Sequence, residues 1–191
     1  DLEYGRLQGQ PIVVTTTTHL YESQVAQYEP IYTKDINDVD EYCTKRIQQG
    51  YCGAWFNGIT RTKVDAVDCE SIDGLSALHP NWQIVVEADG AKEKWLKAPK
   101  HTEPVIPSQT KTTIGVVNLQ MLGASLDEDH VHNLELVQSI VHREEGAIVT
   151  PHMLAQIVLH KQGLFQYSKG KKILFRTGYD TVQHRIIDDF I

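Results

Sequence analysis

The stretch Val85-Val86-Glu87-Ala88-Asp89-Gly90-Ala91-Lys92 decides how this chain reads. Two β-branched residues lead into two carboxylates, a glycine and a lysine. β-branched runs favour strands, and an apolar run without alternation reads as a buried strand of a parallel sheet. If that strand continues through Glu87, the two-residue period sends Glu87 and Asp89 to the same side. Gly90 would let backbone approach a ligand closely. Polar residues at the carboxyl ends of parallel strands are the favoured ligand location in α/β proteins. The pair Glu87 and Asp89 is therefore a candidate Mg²⁺ site near a phosphate, or a candidate for orienting water. Lys92 and Lys97 are candidates for neutralising phosphate charge. The plainer alternative is a strand ending in polar turn residues, since Asp-Gly is a common turn pair.

Outward from this segment, strands alternate with helical patterns. Pro11 to Val14 is an apolar run that feeds Thr15-Thr16-Thr17-Thr18-His19. Its hydroxyls are candidate ligands for a phosphate or metal, with Thr17 in the metal set; alternatively Thr17 or Thr18 caps a following helix. Residues 30–33 suggest a short strand. Asp35 to Gln49 reads as a helix capped by Asp35 or Asn37 and closed by Gly50. Further strands are expected at 52–57, at 82–86 as the central strand, at 113–117 and at 172–175. Further helices are expected at 70–78 and 132–140. Another starts at Thr150-Pro151 with proline in the first position, and a closing helix is expected after Asp180. Residues 90–110 read as a long structured loop holding four lysines, with Trp95 as a stacking or anchoring residue. The expected fold is a single α/β domain over 1–191, with a mostly parallel sheet covered on both faces in three α/β/α layers.

Composition fits that expectation. The chain is 41% hydrophobic and 23% charged, as in ordinary globular domains. Its 25 acidic residues against 18 Lys and Arg give a net charge of −7. That argues against nonspecific nucleic-acid or anionic-membrane binding, although Lys92, Lys94, Lys97 and Lys100 cluster locally. No apolar run reaches the roughly 18 residues of a membrane helix. Cys43, Cys52 and Cys69 match no paired zinc or redox spacing. An odd cysteine count without a visible signal peptide points to the cytoplasm.

Several chemistries find no motif. There is no Gly-x-Ser-x-Gly elbow, no dinucleotide fingerprint and no glycine-rich phosphate loop. Lys111-Thr112 lacks the glycines that would precede such a pair. His101, Glu103, Asp127, His130 and His132 form a weak metal-like grouping, for which polar loop and capping roles are the stronger reading.

Four segments together resemble the YqeC family over nearly the whole chain. They are Thr15-Thr16-Thr17-Thr18-His19, Glu87-Ala88-Asp89-Gly90-Ala91, Lys97-Ala98-Pro99 with Glu103-Pro104-Val105-Ile106-Pro107, and Asp127-Glu128-Asp129-His130-Val131-His132. That family is described as accessory proteins for selenium-dependent molybdenum hydroxylases. The resemblance implies a P-loop nucleotide-binding fold that lacks, in this sequence, its first strand and phosphate loop. Asp1 to Leu7 would then be the end of the helix after that loop. It implies ATP or GTP with Mg²⁺ as cofactors, and a molybdenum hydroxylase or its cofactor as partner. Glu87 and Asp89 fall on the family's acidic strand end, and Thr15 to Thr18 on its threonine run. Lys97 falls on the lysine of Lys-Ala-Pro. Two departures stand out. His132-Asn133 replaces a frequent His-Arg, and Thr177-Gly178-Tyr179-Asp180 keeps only Asp180 of a guanine-reading pattern, so ATP is at least as plausible as GTP. The expected function is a nucleotide-dependent maturation factor, with NTP hydrolysis left open. The rivals are a small-molecule enzyme using Glu87 and Asp89 without nucleotide, and a non-catalytic module that binds a cofactor or partner.

Overall fold

The computed structural model describes residues 10–181 and divides the chain into two units. The first comprises residues up to Gly90 together with Val105–Gln109; the second comprises Ala91–Pro104 and the residues from Thr110 onward. The expected helix tail at residues 1–7 and the closing helix after Asp180 lie outside the described residues.

The first unit is built on a four-stranded parallel sheet in the order β3-β4-β1-β7. Its strands are β1 (Ile12–Thr16), β3 (Ile31–Tyr32), β4 (Gly53–Phe56) and β7 (Gln83–Glu87). Alternation divides the side chains between two faces. Val13 and Trp55 enter one cluster with Val39, Cys43, Val67, Ile72 and Leu75. Ile12, Val14, Ala54 and Phe56 enter the other with Val25 and Val64.

Two helices supply the first of these faces. In α2 (Ile36–Gln48), following the short α1 (Glu22–Val25), the Asp35 carboxylate accepts the Asn37 N–H at 2.9 Å, and Val39 and Cys43 bury one turn apart. In α3 (Cys69–Leu78), Asp68 accepts the Ser71 N–H at 2.8 Å and Ile72 and Leu75 face inward. Gly53 is what lets α2 lie so close to the sheet. A Cβ there would stand 2.7 Å from Cys43 Sγ.

The opposite face was expected to be helical. Instead it is covered by α1 and a three-stranded antiparallel sheet, β2-β6-β5, made of β2 (Leu20–Tyr21), β5 (Gly58–Thr60) and β6 (Lys63–Asp65). Asn57-Gly58 therefore does not end β structure; it turns the chain from β4 into this hairpin. The threonine run leads into β2, not into a helix, so neither Thr17 nor Thr18 is a helix cap.

β7 also differs from the buried central strand expected of it. Among the described residues it is the edge of the sheet, and it alternates: Ile84 and Val86 are half-buried, while Val85 is 48% exposed. The alternation was masked because both faces carry valine or isoleucine.

The second unit holds two parallel strand pairs. β8 (Leu96–Lys97) pairs with β10 (Val131–His132), and β9 (Thr112–Asn118) pairs with β11 (Lys171–Thr177). Its core gathers Leu96, Val117, Leu119, Met121, Leu126 and Val131 with residues of α4 (Leu134–Val141) and α5 (Pro151–Leu159). α5 begins as its sequence suggests: Thr150 accepts the Met153 N–H at 3.3 Å and Pro151 occupies the first turn. The protein is thus a mixed α/β chain with parallel sheets.

Candidate functional site

β1 and β7 run side by side, with Thr15 opposite Val86 and Thr16 opposite Glu87, so their carboxyl ends finish together. The backbone carbonyl of Glu87 organises this end. It accepts the Thr17 N–H at 3.0 Å and the Thr16 hydroxyl at 3.0 Å, with the Thr17 hydroxyl at 3.4 Å. The Thr17 hydroxyl also donates to the Val105 carbonyl at 2.6 Å, and the Val105 N–H returns to the Ala88 carbonyl at 3.2 Å. Thr16 Oγ1 accepts the Thr18 N–H at 3.0 Å. The run is inside the protein as far as Thr17; Thr18 is half-buried and His19 exposed.

Thr15 differs from its neighbours. It is 3% exposed, yet among the described residues its hydroxyl finds no hydrogen-bond partner. A buried hydroxyl without a partner costs free energy, about 1–3 kcal/mol, so such a group calls for a ligand or another explanation.

The acidic pair stands beside this end. Glu87 is the last residue of β7, with an exposed side chain, while Asp89 and Gly90 lie past the strand and are half-buried. Strand pairing therefore fixes the direction of Glu87 but not of Asp89. The segment 105–109 is pinned beside them by a residue that sequence reasoning missed. Asp73, on α3, accepts the Ser108 N–H at 2.8 Å, the Ser108 hydroxyl at 2.7 Å and the Gln109 N–H at 3.0 Å. Only the proline-rich composition of 104–107 hinted that this stretch is ordered.

The remaining expected site residues, Lys92, Lys97 and Asp180, belong to the second unit. Asp180 is exposed on a 3₁₀ turn, Tyr179–Thr181, after β11. Lys97 lies on β8 between two buried residues, Leu96 and Ala98, and its own side chain is only 8% exposed. Its ammonium pairs with Glu103 at 2.8 Å. Burial pushes the Glu103 carboxyl up. The Lys97 hydrogen bond, the Lys100 backbone N–H and the charges of both lysines outweigh it, so the net shift is downward. His132, opposite Lys97 in the β8–β10 register, is held below the ordinary histidine range by burial first. The charges of Lys92, Lys97 and Lys100 add to that, against an opposing pull from Glu103.

The weaker histidine grouping resolves into separate contacts. His130 Nδ1 lies 2.7 Å from Asp127, and its ring packs on Trp95 with centroids 4.8 Å apart. Among the described residues no three His, Cys, Asp or Glu side chains converge as a metal centre. Mg²⁺ at Glu87 and Asp89 would need phosphate and water oxygens to complete its shell, as Mg²⁺ sites commonly do. Burial, and secondarily Asp40, pushes the Cys43 thiol up to about 12, so it is an inert core residue. No helix among the described residues is long and apolar enough to cross a membrane.

A parallel-sheet α/β protein with polar residues gathered at the carboxyl ends of adjacent strands is the class these features define. The family model described as "YqeC protein" matches residues 2–135, and the chain belongs to the YqeC family. It is 27% identical over 165 residues to "Uncharacterized protein YqeC" of Escherichia coli (strain K12). That match covers 86% of this chain and 63% of the relative's length. No solved structure matches the chain.

Proposed function

We propose that this protein binds a nucleotide, ATP or GTP with Mg²⁺, through a P-loop-like fold. It would act as an accessory protein in the maturation of a selenium-dependent molybdenum hydroxylase. The client is what the resemblance to the YqeC family suggests; the nucleotide reading rests on the first unit. The observation that carries it is the buried Thr15 hydroxyl near the end of β1, which has no partner among the described residues and lies next to the strand that leads to Glu87 and Asp89. A hydroxyl and a carboxylate, Thr15 and Asp89, suit a hard cation; Glu87 is opposite Thr16 in the register and leaves the other face of the sheet.

In this reading Asp89 holds the ion, Glu87 reaches it only around the strand end through water, and Thr15 offers its hydroxyl oxygen to the ion or its proton to a phosphate oxygen. Mg²⁺ would supply charge neutralisation for the phosphates. Thr16 and Thr17 keep the strand ends in register through the Glu87 and Val105 carbonyls. Gly90 leaves space, since a Cβ there would meet nothing within 4 Å.

Calorimetric titration of the gene's full product with ATP and with GTP, each with and without Mg²⁺, tests the reading. Binding is expected to require Mg²⁺ and to weaken about tenfold or more in Asp89→Ala, the loss of one charged partner. Absence of binding, or identical affinity with and without Mg²⁺ in both proteins, refutes it.

A further inference from the structure

We propose that the β9–β11 pair presents an apolar docking face, and that its occupant is the chain's own segment 182–191, which lies outside the described residues and docks there as an amphipathic helix. The proposal concerns the second unit alone and does not rest on the nucleotide reading.

The face follows from the register. β9 and β11 pair in parallel with Ile114 beside Ile173 and Val116 beside Phe175. The two-residue period puts these four side chains on one side of the pair. Ile114, Val116 and Phe175 are 59%, 54% and 55% exposed, and Ile173 is 37% exposed. Adjacent apolar side chains on a strand pair form a patch that a folded protein covers with another element. The reverse side is already packed along β9. Val117 is buried in the core of the unit, and a Cβ at Gly115 would stand 2.8 Å from Leu164 and from Phe165. On β11 that reverse side carries Lys172, Leu174 and Arg176, of which only Leu174 is apolar.

Described contacts fix the way the chain leaves β11. Gly178, at φ 72°, lies against the end of β9, where a Cβ would stand 2.6 Å from Asn118 Oδ1. The 3₁₀ turn Tyr179–Thr181 packs on the turn Leu119–Met121 that follows β9. Thr181 is thus held at the carboxyl end of both strands, and the next residues need no long connection to return over the pair.

The segment has the matching pattern. Val182, Ile186 and Phe190 recur every fourth position, and Ile187 and Ile191 share their side of a helix. His184, Arg185, Asp188 and Asp189 fall on the opposite side, and Gln183 is the one polar residue within the apolar stripe. Ten helical residues extend about 15 Å. That matches the return from Thr177 to Ile173, about 13 Å at strand rise. Val182 and Ile186 then cover Phe175 and Val116, and Phe190 reaches Ile173 and Ile114. Charge complements this direction. Asp188 and Asp189 arrive at the end of the pair that carries Lys171, on the same face as Ile173, and Lys111 before β9.

The test is NOE spectroscopy of the full chain with ¹³C-labelled isoleucine and valine methyls, the phenylalanine rings being assigned by Phe175→Leu and Phe190→Leu. Cross-peaks from the Phe190 ring to the Ile114 or Ile173 methyls are expected within one chain. Trypsin cleavage after Arg185 gives a second readout, since its rate follows the population of the undocked segment. Val116→Ser, at an exposed position, should speed that cleavage about tenfold. Leu159→Ser, at a leucine 82% exposed on α5 and outside the face, should leave it unchanged. Absence of the Phe190 cross-peaks would overturn the proposal. So would cross-peaks that arise only between differently labelled chains, which would give the face to a second copy. Unchanged cleavage in Val116→Ser, or equal acceleration in Leu159→Ser, would overturn it as well.

Discussion

Replacing Gln166 by methionine tests how the lysine-bearing loop is held. The substitution keeps the length of the side chain and removes both donors. Gln166 Nε2 serves the Lys100 and Glu103 carbonyls, which flank a turn whose own closing bond runs from the Glu103 N–H to the Lys100 carbonyl at 2.9 Å. An acceptor left unpaired in the interior costs about 1–3 kcal/mol. Glu103 is half-buried and Lys100 exposed, so water can replace the amide at Lys100 but less readily at Glu103. The expected loss is therefore about 2 kcal/mol, one full penalty at the Glu103 carbonyl, since the Lys100 carbonyl keeps the Glu103 N–H. Because the chain has two units, one global transition cannot be assumed. Trp95 is in the second unit and Trp55 and Trp82 in the first, so 5-fluorotryptophan labelling gives a local probe. With a urea slope of about 1–3 kcal/mol/M, the Trp95 midpoint should fall by about 1 M. Gln166→Glu should be worse, since an ionised carboxylate would face two carbonyls. A midpoint shift under about 0.2 M in Gln166→Met would show that the amide holds nothing.

Three other outcomes follow from the structure. Thr15→Val removes a buried hydroxyl that has no partner among the described residues, so stability without ligand should rise by up to about 1–2 kcal/mol in urea unfolding; a loss of that size would mean the hydroxyl is bonded after all. His132 has its folded pKa below its unfolded one, so the unfolded chain binds the proton first. Stability should fall as pH drops through the ordinary histidine range toward the lower folded value. Glu103 is also depressed, so its contribution, present above the ordinary carboxylate value, disappears later, as pH falls through its folded value. If the stability difference between the protein and His132→Asn does not change between about pH 7 and 5, the first stage is wrong. Asp73→Ala removes the acceptor for three donors of Ser108 and Gln109 and should cost about 1–2 kcal/mol. Hydrogen exchange at Val105, Ser108 and Gln109 should accelerate; unchanged protection there would refute the anchoring role.

Much of the first unit was legible because its signals are local. Asp35 and Thr150 cap where their side-chain chemistry says they should, and Val39 and Cys43 bury at helical spacing. The parallel sheet followed from β-branched runs separated by helices. What failed was long-range. Gly58–Thr60 and Lys63–Asp65 carry too few apolar residues to announce a hairpin, and they are strands because Val64 and Phe56 share a core. β8 and β10 are two residues each and exist through mutual pairing, which no window of sequence contains. The clamp by Gln166 joins positions more than sixty residues apart, and glutamine carries no signature of such a role.

The strand end shows why a motif's residue types underdetermine its chemistry. Sequence reasoning weighted the carboxylate of Glu87, whereas the structure uses its carbonyl, which takes bonds from Thr16 and Thr17 while the side chain points from the exposed face of β7. Glu87→Gln therefore leaves the stitching of β1 to β7 intact and probes the carboxylate cleanly. Thr16→Val and Thr17→Val do the reverse: each removes a hydroxyl already given to backbone, so lost binding in either would report a displaced strand end as readily as a lost ligand contact. Of the three buried threonines of the run, Thr15 is the one that separates the two effects. Its hydroxyl supports no described contact, so binding lost without stability lost can come only from the ligand side.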